Sequence, residues 1–239
     1  MKILSIGNSF SEDAQAYLKG VCDAEGLDLT CANLYIGGCT LIRHCENIKR
    51  GVKDYVYFVN GAKVNDRVSV EEILTSEDFD VITLQESSYR SCELCHFEPY
   101  LHELIEYVKK HCPNAKVALH MTWGYGKQLT ERMKQVGLFS TEEMFEKVID
   151  NYTKLAEKEK VDFIIPSGKV LYRLFLEGYN IHRDAQHASL GIGRYALALT
   201  WMRKLFGVSV ANNSFRDFEV FVSREEIAAA QRAVDDIVT

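Results

Sequence analysis

Ser9 and His187 are the residues whose types could do chemistry together. A serine hydroxyl attacks a carbonyl at neutral pH only when a base within hydrogen-bond reach takes its proton. Histidine suits that exchange because its ordinary pKa lies near neutrality. The chain supplies the base candidate far away in sequence, in Asp184-Ala185-Gln186-His187. The hydroxyl stands at a place that suits a nucleophile. Ile3 to Ile6 reads as a buried strand, Gly7-Asn8-Ser9 breaks the pattern, and a helix follows. An α/β protein presents a reactive group in this way, at the carboxyl end of its first parallel strand and against the positive end of the next helix. A bland reading competes: a serine here can simply cap the helix, and Ser11 with Glu12 and Asp13 offers a rival cap.

The elements that must position these groups follow from hydrophobic period. Helical patterns are expected over about 12–26, 40–50, 98–111, 141–160, 168–177, 190–206 and 224–238. Strand patterns are expected over 3–6, 28–35, 80–84, 116–121 and 162–165, with a β-hairpin over about 54–70. Strands alternating with helices predict an α/β fold, a mostly parallel central sheet covered on both faces. Residues 1–239 read as one domain with the hairpin as an insertion. The hairpin and the segment 122–139 are candidate lids. Polar groups gather at the strand ends, where ligands bind in open sheets: Ser9, Gly37-Gly38, Gln85-Glu86-Ser87-Ser88 and Thr122-Trp123.

Gly7-Asn8-Ser9, the Gly37-Gly38 turn, the amide Gln85 after the third parallel strand, and Asp184-x-x-His187 resemble the four blocks of the SGNH (GDSL-like) hydrolase superfamily, over residues 3 to about 206. Asn8 stands where aspartate is usual, and Leu84-Gln85-Glu86-Ser87-Ser88 stands where most members carry Gly-x-Asn-Asp. A glutamine there is similar to the sialate O-acetylesterase-like and GNSF-type (DUF4886-like) branches, and Ile-Gly-Asn-Ser-Phe is nearest the latter.

The resemblance implies a three-layer α/β/α, flavodoxin-like fold. It also implies Ser9 as nucleophile, His187 as base, and Asp184 as the group that holds the second imidazole nitrogen. The oxyanion would be met by the backbone N–H of Ser9, the backbone N–H of Gly38 and the side-chain amide of Gln85. Glycine at 38 would let the backbone approach substrate closely. The implied activity is a serine esterase for a small acyl ester, most simply an O-acetyl group on a carbohydrate. Phe10, Gly37 and Trp123 are candidate substrate contacts, with Tyr89 and Tyr125 further aromatic candidates. The alternatives are a lipid or thioester acylhydrolase and a ligand-binding α/β module without turnover.

Composition narrows the partners. The 239 residues carry a net charge of −6, which disfavours nucleic acid and anionic membranes. No Gly-x-Gly-x-x-Gly or Gly-Lys-Ser/Thr run offers a phosphate cradle. The amino terminus has no secretory h-region, Met1 abuts the first strand, and no apolar run reaches bilayer length. Seven cysteines, an odd number at irregular spacing, fit reduced thiols and a cytoplasmic chain. Cys92-Glu93-Leu94-Cys95-His96 lacks a second CxxC or HxxxH at zinc spacing, with His44-Cys45 the one pair that would have to converge on it through the fold, so no metal or cofactor is expected. His120 reads as a core residue. His182 lies at the wrong spacing to be the base, and His44, His96, His102 and His111 read as surface or loop residues.

Overall fold

The computed structural model describes residues 1–87, 89–135 and 137–239, and of residues 129, 130 and 132 the backbone alone. Seven strands form the sheet, five of them parallel: β1 (Lys2–Gly7), β2 (Thr30–Tyr35), and, after an antiparallel hairpin of β3 (Tyr55–Val59) and β4 (Ala62–Val68), β5 (Val81–Leu84), β6 (Lys116–His120) and β7 (Phe163–Ile165). Their order is β4-β3-β2-β1-β5-β6-β7. The chain leaves β1 toward β2 and later returns to β5 on the other flank of β1. That reversal opens a crevice at the carboxyl ends of β1 and β5, as in other doubly wound sheets.

Both faces of the sheet are covered. One is packed by α1 (Ser9–Gln15), α2 (Leu18–Asp23), α8 (Ser167–Leu176), α9 (Ile192–Phe206) and α10 (Arg224–Ile237). The other is packed by α3 (Leu41–Arg50), α4 (Val70–Ser76), α5 (Tyr100–His111) and α7 (Thr141–Glu159). α6 (Thr130–Gln135) lies in the segment between β6 and α7. In β1 the side chains alternate: Ile3 joins the first core, while Leu4 and Ile6 join the second. Among the described residues no helix is long and apolar enough to cross a membrane.

Three expectations need correction. The helix expected over 12–26 is two helices, broken at Tyr17, whose hydroxyl donates to Leu190 O at 2.6 Å. The alternating run expected to extend to Val70 ends before it: α4 begins there, opened by a capping box between Ser69 and Glu72. His44 is buried, not a surface or loop residue, and its Nδ1 lies 2.8 Å from Tyr55 Oη.

Candidate active site

The turn after β1 is built around Asn8. Its side-chain oxygen accepts from Phe10 N at 3.0 Å and so caps α1, while its Nδ2 donates to Cys39 O at 2.8 Å. Ser11 Oγ donates to Asn8 O. With Asn8 as the cap, neither Ser9 nor Ser11 is needed for that task, and the Ser9 hydroxyl is left for another partner. Gly7 is demanded by crowding: a Cβ there would lie 2.5 Å from Ser11 Oγ and 3.3 Å from Gln85 Cδ.

That other partner is His187. Ser9 Oγ lies 2.9 Å from His187 Nε2, and His187 Nδ1 lies 2.8 Å from Asp184 Oδ2. The Nδ1–H donates to the carboxylate, so the Nε2 lone pair faces the serine hydroxyl. Asp184 Oδ1 accepts the backbone N–H groups of Gln186 and His187, each at 2.8 Å. Partial burial pushes the Asp184 carboxyl up, but these two N–H groups and the imidazole outweigh it and hold it at about 2. A carboxylate ionised at every working pH thus faces the ring nitrogen that must stay protonated.

A cavity of about 210 Å³ opens beside Ser9, lined by Asn8, Phe10, Gly38, Thr40, Ser87, Tyr89, Tyr125 and Gln186. Among the described residues neither the Ser9 N–H nor the Gly38 N–H has a hydrogen-bond acceptor. Gly38 has φ +61, and a Cβ there would meet nothing within 4 Å. Glycine serves the left-handed backbone of this turn.

Several predicted residues sit elsewhere. Gln85 is 1% exposed and lies beneath the cavity: Nε2 donates to Asn8 Oδ1 at 2.8 Å, and Oε1 lies 2.6 Å from His120 Nδ1. A buried amide needs partners at both ends, and Asn8 and His120 supply them. Held by these partners, the amide forms a layer beneath the cavity that supports Asn8. Trp123 is fully buried, packs edge-on against Phe10 at 4.3 Å, and donates from Nε1 to Gln186 O. It braces the His187 loop and does not line the cavity. Gly37 is exposed, and the lining comes from Gly38 instead. The hairpin extends the sheet beyond β2 and contributes nothing to this lining, so it is no lid here. Of the segment 122–139, Tyr125 reaches the cavity; Val136, like Ser88 of the third block, lies outside the described residues. Thr40, Ser87 and Gln186 were not singled out as contacts, although all three adjoin the motif residues.

Glu86, also 0% exposed, ties two walls of the cavity together. Its carboxylate accepts from Ser87 N at 2.6 Å and from Leu41 N at 3.3 Å. Burial pushes this carboxyl up to about 7 against the pull of those N–H groups and of Arg90. His182 donates from Nε2 to Gly124 O and is a structural partner of the segment after β6. Away from the cavity, Glu93, Cys95 and His96 hold donor atoms within 4.8 Å of one another on an exposed turn. All seven cysteines are free, and Cys92 is buried, its thiol pushed up to about 12 by burial.

The domain of unknown function DUF4886 matches residues 2–236. A DUF4886 family protein from Bacteroides uniformis ATCC 8492 is 30% identical, with a TM-score of 0.90 over 99% of this chain and 93% of that one. A candidate SGNH hydrolase from Slackia heliotrinireducens is 18% identical, with a TM-score of 0.61 over 86% and 98%. Axe2, an acetylxylan esterase from Geobacillus stearothermophilus, is 15% identical, with a TM-score of 0.57 over 84% and 92%. The last two likenesses are of fold, the SGNH hydrolase fold, which this chain shares. No curated protein matches the sequence.

Proposed function

We propose that this chain, which belongs to the DUF4886 family, is a serine esterase that removes small acyl groups, O-acetyl groups on a carbohydrate above all. The observation that carries the reading is the relay Ser9 Oγ–His187 Nε2 and His187 Nδ1–Asp184 Oδ2, closed at 2.9 and 2.8 Å by residues 178 and 3 positions apart. Ser9 Oγ attacks the ester carbonyl carbon while its proton passes to His187 Nε2. The Ser9 and Gly38 N–H groups receive the oxyanion, and Asp184 stabilises the imidazolium. Collapse of the tetrahedral intermediate breaks the bond to the alcohol oxygen, which takes the proton from His187. Water then adds to the acyl-enzyme, with His187 as base, and releases the carboxylate. Gln85 acts beneath this machinery by holding Asn8, and hence the turn that carries Ser9.

The size and lining of the cavity support the substrate class. About 210 Å³ falls below the several hundred Å³ of a drug-sized site and suits an acetyl group better than a long chain. Residues of polar or mixed type, Thr40, Ser87, Tyr89, Tyr125 and Gln186, make up much of its lining, a composition that suits a sugar better than a long acyl chain. The fold likeness to an acetylxylan esterase points the same way by analogy. Seven free thiols support a reducing, cytoplasmic setting.

The test is intact mass and peptide mapping after treatment with a small fluorophosphonate, followed by p-nitrophenyl esters of increasing chain length. One adduct on Ser9, faster turnover of acetate than octanoate, and a loss on the order of 10⁶-fold in Ser9→Ala are expected. A folded protein that takes no label, or a Ser9→Ala variant that turns over normally, overturns the proposal.

A further inference from the structure

Asp13 is fully buried on α1, one helical turn after Ser9. Its Oδ1 accepts from Arg183 Nη1 at 2.6 Å and from Arg194 Nε at 2.9 Å, and its Oδ2 accepts from Ala188 N at 3.0 Å. Arg183 Nη1 also donates to Ala188 O at 2.7 Å, and Arg183 N donates to His187 O at 3.1 Å. Residues 183 and 188 are the two ends of the short loop that carries Asp184 and His187. Its middle is tied to the segment after β6, through Gly126 N to Ala185 O and Trp123 Nε1 to Gln186 O. Its ends are tied to the helix of Ser9.

From this geometry we propose that Asp13 is a positioning residue for the acyl transfer, clamping both ends of the 183–188 loop to the helix that carries the nucleophile. The inference rests on the serine-esterase reading. A buried carboxylate between two guanidinium groups is a poor source of stability, because desolvation cancels much of the attraction. It does fix direction: three acceptor contacts at two oxygens leave the loop little freedom to slide. Nucleophile and base come from opposite ends of the sequence, yet Asp13 refers both to one short rigid element. Misplacing a reacting group by about 1 Å costs on the order of 10²-fold in rate, and Asp184 with its half-exposed side chain has little packing of its own to prevent that.

The test compares Asp13→Asn with Asp235→Asn. Asp235 likewise accepts from a side chain and a backbone N–H, Ser209 Oγ and Val210 N, at a place that takes no part in the cavity. Two readouts are taken at a temperature where circular dichroism shows each protein folded: amide hydrogen exchange of the peptide spanning 183–188, and the second-order rate of Ser9 labelling by a fluorophosphonate. In Asp13→Asn the loop should exchange about tenfold faster or more, and labelling should fall on the order of 10²-fold. Asp235→Asn should change neither. Should Asp13→Asn not fold, Arg183→Lys, which keeps the charge but loses the forked donor, should move both readouts in the same direction. A folded Asp13→Asn that labels at the wild-type rate overturns the proposal, whatever its exchange. If wild-type Ser9 takes no label, the esterase reading fails, and unchanged loop exchange in Asp13→Asn then overturns the clamp itself.

Discussion

Replacing Glu86 by glutamine should make the protein more stable relative to wild type as the solution becomes more alkaline. Glu86 is fully buried, and burial raises its carboxyl from the ordinary 4.5 to about 7, against the N–H groups of Ser87 and Leu41 and the Arg90 guanidinium. Between those values the folded chain holds a proton that the unfolded chain has released. The contribution is therefore fully present below about pH 4.5 and is lost as pH rises through 7. Integrated from about pH 5 to about pH 8, the loss is about 2–3 kcal/mol. His44 and His120 act in the opposite sense over part of that range. Burial holds both at about 3, so an unfolded chain takes up protons below about 6.5 and stability rises with pH up to there. Those contributions are common to both proteins and cancel in the difference, as does the fixed cost of exchanging one hydrogen-bonding group for another. Urea unfolding of both proteins at about pH 5 and pH 8 supplies the four free energies. The variant should gain about 2–3 kcal/mol on wild type across the interval, or roughly 5–10 °C in melting temperature for a chain of this size. Parallel profiles would refute the argument that Glu86 is a desolvated carboxyl tying Ser87 to Leu41.

Asp184→Asn keeps the side-chain volume but presents an amide to the imidazole, and kcat on p-nitrophenyl acetate should fall on the order of 10⁴-fold with KM little changed. Steady-state kinetics near wild type would remove Asp184 from the relay. Gly38→Ala forces a Cβ onto a backbone at φ +61, which should cost about 1–2 kcal/mol in denaturant unfolding. If the Gly38 N–H receives the oxyanion, kcat should fall a further 10²-fold or so. Lost stability with unchanged turnover would show that this N–H has no such part.

The framework was legible where local signals and tertiary demands agree. The period of α3, α5, α7 and α10 marks one apolar face each, and the apolar runs of β1, β5 and β6 have the short length of buried strands rather than of helices. The site positions were legible because Ser9, Gly38 and Gln85 follow strands, and Asp184 and His187 share a loop. What escaped depends on contacts across the fold. α1 and α2 form a single apolar pattern, and the break falls at Tyr17, whose hydroxyl reaches across the fold to Leu190. α4 did carry its signal, Ser69-Val70-Glu71-Glu72, but it was outweighed by the alternation leading into it. The direction of the Gln85 amide is fixed by His120 and Asn8, 35 and 77 residues away, and no local pattern encodes it. His44 looks like a surface residue from its polar neighbours, yet it is turned inward by Tyr55 of the hairpin.

The buried amides make Asn8 a junction with consequences for redesign. Its oxygen receives Phe10 N and Gln85 Nε2 while its nitrogen grips Cys39 O, so the turns after β1, β2 and β5 are parts of one joint. An aspartate at this position could still accept twice but could not donate to Cys39, and it would set a charge against that carbonyl. The asparagine at 8 and the glutamine at 85 form one hydrogen-bonded unit, to be exchanged together or left alone. The freedom to reshape what the cavity admits lies one shell outward, at Thr40, Tyr89, Tyr125 and Gln186, which line the space without belonging to the joint.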